Sequence, residues 1–375
     1  MIEVMYYAVI MLVGYGLILA LSFKKNDILK TSFLPQHSHL YVSAAIVFFV
    51  IFLILPVTES TDRSYYLESV KQYVESGYLD QYLLNKEVGF YYVVKSLALL
   101  FPNGTVVVAT LSSVTLTLLL IGYTKIFENK RLGAVATIVV LMLWFHIWSV
   151  NGIRQAMAIS FFVIAFSFML REKYLKAVLI ILAGSFFHFS SVYMLVFITA
   201  FIAFKKKGFR VSVLSHVIFL FFALFVASNP DLINSLTSPL MEMSQFLITS
   251  EYFHYLEKST VEVRSAHTGI GIGLAFRCVI FIYVILTMHL HKYKPYYNYS
   301  TFSLVLLLNL LLVMLGSIEL ITRALLYLYI LIGYLLVGSI KVNARSGYKY
   351  MQYIGTALAF ASSGILFAEL SGTYS

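Results

Sequence analysis

Charge is what this sequence has least of. Only 12% of its 375 residues are Asp, Glu, Lys or Arg, while 60% are hydrophobic; an ordinary soluble domain is roughly 25% charged. That leaves too little polar surface to keep a globule of this length in water, which excludes a soluble enzyme, a nucleic-acid binder and a disordered scaffold. Cysteine is nearly missing too. The lone Cys278 excludes an intramolecular disulfide and a cysteine-rich metal site. No GxxxxGK[ST] or GxGxxG run is present, so nothing signals a nucleotide. No histidine or carboxylate pair has metal-ligand spacing, so neither a protein-held metal nor another cofactor is expected. Acid is scarcer than base, 17 residues against 27, for a net charge of +10. What remains is an all-α, polytopic integral membrane protein, in which excess base reflects cytoplasmic loops and not a nucleic-acid partner.

Long apolar runs are abundant. A bilayer core needs about 20 apolar residues as helix, fewer beside a thinned or cavity-lined site. Twelve spans satisfy this: 4–23, 40–57, 104–123, 133–149, 155–170, 174–187, 189–204, 211–227, 269–290, 300–316, 320–338 and 350–367. The whole chain, 1–375, reads as one transmembrane domain. The first span has no basic n-region and no small-residue cleavage site, so it is expected to be retained. The 28 tyrosines and 31 phenylalanines suit interfacial belts, and also the faces of sugars.

Counting bases orients the spans. With both termini outside, the cytoplasmic segments are 24–39, 124–132, 171–176, 205–210, 291–299 and 339–349. They hold 18 of the 27 basic residues but, among the acids, only Asp27, Glu128 and Glu172. This is the positive-inside pattern carried through the chain. The apolar stretch 89–101 contains Lys95 and ends at Pro102-Asn103-Gly104. Counting it as a span would move 15 of those basic residues outside, so it reads as a re-entrant or interfacial helix. Two large outer loops result, 58–103 and 228–268. The second is punctuated by Pro230 and Pro239 and contains an amphipathic stretch at 244–257. The cytoplasmic links are short, which puts the working face outside.

Charged groups at membrane depth are costly and point to function. Arg154 and Gln155 open the fifth span after His146, Trp148 and Asn151. An arginine there either snorkels to the interface or enters an outward-facing cavity, and its amide neighbours favour the cavity. His188, in the run from Ser185 to Ser191, falls between two short apolar segments that turn at the outer face. Its ordinary pKa near 6.5 suits proton transfer, although a packing histidine would look the same. Glu319 and Arg323 are spaced to pair across one helical turn. Arg277 lies about 12 Å into the ninth span at 1.5 Å per residue. Arg264 precedes that span and reads as loop charge. In the first outer loop, Asp62, Tyr65 and Tyr66 follow the second span, and Glu87 introduces the short helix.

Arginines facing such a cavity suit a phosphate or pyrophosphate headgroup. Aromatics suit sugars, and a carboxylate or histidine can take a proton from a sugar hydroxyl. Glycosyl transfer from a lipid-diphosphate donor needs this inventory, with arginines stabilising charge on the leaving group in place of a divalent metal.

The pattern resembles the EpsG-like branch of bacterial polysaccharide polymerases, which are related in role to the Wzy-type O-antigen polymerases. The residues that carry the likeness are Asp62 with Tyr65 or Tyr66; Glu87, Gly89 and Phe90 as Glu-x-Gly-Phe; Arg154 and Gln155 in NGIRQAMA; Ser185, His188 and Ser190 as Ser-x-x-His-x-Ser; and Arg323 opening a late span. The resemblance implies a GT-C-like architecture with short or re-entrant helices near the outer face of the bacterial cytoplasmic (inner) membrane. It implies polymerisation of undecaprenyl-diphosphate-linked glycan repeat units into O-antigen, capsule or exopolysaccharide. Arg154 and Arg323, together with Arg277 on depth grounds, would hold the diphosphate; Asp62, Glu87 or His188 would be the base. A chain-length regulator and a flippase of the same pathway are the implied partners. A single-sugar transferase using a lipid-linked donor, an O-antigen ligase and a lipid-linked oligosaccharide flippase are the alternatives.

Overall fold

The computed structural model describes residues 2–23, 38–54, 61–77, 87–145, 152–206, 211–229, 272–291, 298–315 and 326–373. Among them the regular elements are helices and no strand occurs. In chain order these are α1 (Ile2–Phe23), α2 (Ser38–Ile54), α3 (Thr61–Ser76), α4 (Val88–Leu100), α5 (Gly104–Phe127), α6 (Lys130–Val140), α7 (Ile153–Leu170) and α8 (Tyr174–Ser185). They are followed by α9 (Met194–Lys206), α10 (Val213–Ala227), α11 (Ile272–His291), α12 (Tyr299–Leu315), α13 (Ile332–Arg345) and α14 (Lys349–Thr373). A π turn, Leu141–Phe145, extends α6, and a 3₁₀ turn, Phe189–Tyr193, leads into α9.

Most predicted spans overlap a helix with ends shifted by a few residues; parts of 133–149 and 320–338 lie outside the described residues, and the second of these meets α13 only from Ile332. Five stretches of described residues are long and apolar enough to cross a membrane: Gly104–Phe127, Ile153–Leu170, Phe189–Lys206, Leu274–His291 and Leu326–Arg345. Other apolar helices, α2, α8, α10 and α12 among them, have 10–17 residues. The protein is therefore a helical membrane protein with several crossings, and twelve remains a count made from the sequence. The outer loop expected at 228–268 lies, beyond Asn229, outside the described residues. The first outer loop proves more ordered than its charge suggested, because 61–76 forms α3. Its apolar positions Tyr66, Val70 and Tyr73 share one face of that helix.

The chain divides into two compact units, Met1–Ile198 with Thr356–Ser375, and Thr199–Gly355. In the first, α5 is the central helix, packed on α2, α6 and α7. The Asn103 side chain caps it by accepting the Val106 N–H at 3.2 Å, and it ends at Glu128, whose φ of 53° is left-handed.

The ends of these helices sort into two groups. At one end Arg171, just past α7, pairs with Glu128, just past α5, at 3.0 Å. Its guanidinium also donates to the Lys125 carbonyl. Arg131, at the start of α6, donates to the carbonyl of Phe23, the last residue of α1, at 3.4 Å. At the other end α3 meets the starts of α5 and α7. A Cβ on Gly104 would lie 3.1 Å from the Leu67 carbonyl oxygen, and Tyr66 bonds Arg154. Thus α5 and α7 run parallel, with α6 returning between them. The ends of α1, α5 and α7 and the start of α6 gather at one end.

Helix α4 departs from this alternation. It is 13 residues long, about 20 Å at 1.5 Å per residue, against a hydrocarbon core of about 30 Å. Its buried face, Phe90, Val94 and Ala98, rests on Val107, Val108 and Leu111 in the first turns of α5. Both its start and the turn at its end lie near α3.

The second unit packs α10, α11, α12 and α13 around buried polar contacts. Asn343 on α13 donates to Tyr283 Oη at 3.0 Å and Thr287 Oγ1 at 3.1 Å, and its Oδ1 lies 2.8 Å from His291 Nε2. Since Asn343, Thr287 and His291 are wholly buried, these bonds replace the water those groups lose. His216 Nε2 meets Ser303 Oγ at 2.9 Å, joining α10 to α12.

Candidate active site

At the α3 end of the first unit, three segments distant in sequence converge on Glu87. Glu87 is the residue from which α4 starts. The N–H groups of Gly89 and Phe90, in the first turn of α4, both donate to the Phe186 carbonyl oxygen, at 3.0 and 3.3 Å. That shared acceptor satisfies two amides the helix itself cannot. It also ties the start of α4 to the turn after α8, two residues before His188.

Arg154 lies in the first turn of α7. Its Nη1 is 3.0 Å from Glu87 Oε2, as an ion pair without an aligned hydrogen bond. Its Nε donates to Tyr66 Oη at 2.8 Å. Tyr66 is 2% exposed, with its ring against Phe90 and Tyr65 at centroid distances of 5.4 and 5.8 Å. The aromatic core thus fixes the tyrosine, and the tyrosine orients the guanidinium. His188 approaches the other carboxylate oxygen, Nε2 to Oε1 3.6 Å, which is beyond hydrogen-bond length and within reach of an ion pair. Its Nδ1 accepts the Ser190 N–H at 3.3 Å and lies 2.6 Å from Ser190 Oγ. A backbone N–H can only donate, so this pattern assigns the neutral ring's hydrogen to Nε2, facing Glu87. The Glu87, His188 and Arg154 side chains are 8, 18 and 21% exposed, so water screens the charges only in part.

Of the residues singled out from the sequence, Glu87, Arg154, His188 and Tyr66 come together here. Gln155 is buried beside Arg154 in the same helical turn. Tyr65 packs on the core cluster that holds Tyr66. Asp62 lies in the first turn of α3, its side chain outside the described residues. Arg277 belongs to the second unit, with its guanidinium 4.5 Å from the Tyr329 ring centroid, a cation–π contact of the kind that keeps a charge away from water. Arg323, Glu319, Arg264, His146, Trp148 and Asn151 lie outside the described residues. Among the described residues no group of three or more His, Cys, Asp or Glu side chains converges.

Arg63, next to Asp62 in the sequence, is 2% exposed. Its Nη2 donates to the Phe52 carbonyl at 3.4 Å. That carbonyl is in the last turn of α2, where unsatisfied oxygens attract a cation. The available signal was its place three residues before Tyr66, on the same face of α3.

Fold and site together define a multi-pass helical membrane protein with an arginine–glutamate–histidine cluster at one end. Residues 39–372 match the EpsG family, and since this is nearly the whole chain, the protein belongs to that family. Membership indicates a polysaccharide-polymerase type of role in membrane polysaccharide biosynthesis. Comparison with curated proteins and with solved structures returned no match.

Proposed function

We propose that this protein polymerises undecaprenyl-diphosphate-linked oligosaccharide repeat units at the outer face of the bacterial cytoplasmic membrane. The observation that carries the reading is the convergence of Arg154, Glu87 and His188 in a chain of the EpsG family. Arg154 binds the donor diphosphate and stabilises the charge that grows on it as the glycosidic oxygen departs. Its position in the first turn of α7 adds to this, because a helix N-terminus favours an anion. Arg277, by its depth, and Arg323, by the family pattern, are further diphosphate ligands.

Among Asp62, Glu87 and His188, the contacts around His188 favour Glu87 as the base. Both His188 ring nitrogens are directed at protein partners, Nδ1 at Ser190 and Nε2 at Glu87, so His188 positions the carboxylate. In the reaction, the acceptor hydroxyl oxygen forms the new bond to the anomeric carbon. The bond from that carbon to the diphosphate breaks, its electron pair leaving on the diphosphate oxygen, and the hydroxyl proton passes to Glu87. Both termini face outward, and a chain-length regulator and flippase of the pathway work alongside.

The test is glycan length on gels from a deletion strain complemented with wild type, Arg154→Ala or Arg323→Ala at matched protein levels. A ladder with wild type that collapses to one repeat unit with either variant supports the reading. An unchanged ladder on deletion overturns it. Inward-facing lipid-linked units would then indicate a flippase, and a full-length glycan lacking one branch sugar a single-sugar transferase.

A further inference from the structure

We infer that Glu87 is the resting counter-ion of Arg154, and that an anionic diphosphate displaces it and thereby releases the base. The inference rests on the proposed polymerase reading for the identity of the anion, and on geometry for the exchange.

Four observations carry it. First, Arg154 is held independently of Glu87, because Tyr66 Oη accepts its Nε–H at 2.8 Å from within an aromatic core. The guanidinium therefore keeps its place when the carboxylate leaves. Second, the contact with Glu87 is an ion pair, Nη1 to Oε2 3.0 Å, in a site that is partly open to water, with the Arg154 side chain 21% exposed. A ligand oxygen able to align with the guanidinium fork competes on favourable terms. Third, Glu87 has a second basic group to turn to, since His188 Nε2 stands 3.6 Å from Oε1. Displacement thus moves the carboxylate within the site and does not strand it. Fourth, the backbone under Glu87 is anchored through Gly89 and Phe90 to Phe186, so the exchange needs only side-chain torsions.

The chemical consequence follows from charge. A carboxylate beside a guanidinium is a poor base, because the cation favours its ionised form. Once the diphosphate occupies Arg154, Glu87 loses that stabilisation and gains a neighbouring anion, and both changes raise its proton affinity. Donor binding therefore switches on the group that activates the acceptor. An empty site is held as a neutral ion pair.

Removing the charge of the Glu87 carboxylate while keeping the side-chain shape should tighten anion binding. The experiment is calorimetric titration of the purified full chain in nanodiscs with inorganic pyrophosphate. Glu87→Gln keeps the side-chain shape and removes the competing charge; it should bind pyrophosphate roughly tenfold tighter than wild type, given the coupling measured for close charge pairs. Arg154→Ala should bind weakly, and Glu87→Gln combined with Arg154→Ala should lose the gain. His188→Gln, which leaves the Glu87–Arg154 pair in place, should change affinity far less than Glu87→Gln. Melting curves of each variant identify loss of fold. Pyrophosphate affinity in folded Glu87→Gln that equals or falls below wild type overturns the inference, as does a gain that survives removal of Arg154. These titrations need no polymerisation. An unchanged ladder on gene deletion would sink the polymerase reading and leave the exchange standing.

Discussion

Gly89 and Phe186 touch so closely that no side chain fits between them. A Cβ on Gly89 would lie 2.7 Å from both the Cβ and the carbonyl oxygen of Phe186, and the obstacle is partly backbone, which cannot rotate aside. Gly89→Ala must therefore push the start of α4 from the turn that carries His188, separating His188 from Glu87. We expect a loss of about 1–3 kcal/mol, typical of overpacking, read as a lower melting temperature in detergent, together with a shortened glycan ladder. A variant with wild-type melting and a wild-type ladder would show that this contact positions nothing.

Tyr66→Phe removes the acceptor for Arg154 Nε and leaves the aromatic core almost unchanged in volume. Stability should fall by about 1 kcal/mol, the net value of one such bond. Chain extension should slow by roughly tenfold as the guanidinium loses its orientation. Repeat-unit incorporation over time measures it, and an undiminished rate would argue that Arg154 is aligned by other groups.

In the second unit, Asn343→Ala withdraws one group from three partners at once: Tyr283 Oη, Thr287 Oγ1 and His291 Nε2. With Thr287 and His291 wholly buried, water does not simply replace the amide. The expected cost is about 2–4 kcal/mol from orphaned polar groups and a small cavity. A melting-temperature change within error would mean that the neighbours re-pair.

Glu128→Gln offers the contrast. It breaks the ion pair with Arg171, but the glutamate side chain is 72% exposed and Arg171 keeps its carbonyl acceptors Ser167 and Lys125. The loss should stay under about 1 kcal/mol and shrink further in high salt. Thermal melts at two salt concentrations test both parts.

The helices were legible in the sequence because their signal is local. An unbroken apolar run such as 104–123 needs no partner to declare itself, and Asn103 marks its start. The short helix at 89–101 was legible for a different reason: counting it as a span would have reversed the charge pattern after it. Helix α3 was not legible, because Tyr66, Val70 and Tyr73 are interleaved with acids and bases and resemble a solvated loop until the core they share with Phe90 and Val107 is known. Glu87, Arg154 and His188 were each picked out singly, as were Gly89 and Ser190. That Glu87 would sit between the other two was not. Pairing across three segments depends on how α3, α4, α7 and the turn after α8 pack, and one chain's local composition carries no record of that. Tyr66, marked in the sequence only as part of the motif with Asp62, lies buried as the hydrogen-bond partner of Arg154. Arg63 went unremarked because its one signal, the spacing to Tyr66 on one helix face, counts only once α3 is known to be a helix.

Helix α4 starts and finishes on the side of the first unit where α3 lies. Cutting out 88–100 and rejoining the ends would leave the direction of α5, α6, α7 and α8 unaltered, whereas losing any one of those four would reverse all that follows it in the unit. The segment that follows the candidate base is thus a piece of this helical series that parity does not hold in place. Its far end can lengthen or shorten while the rest of the series keeps its sidedness, whereas Gly89 and Phe90 stay tied to Phe186 and the core.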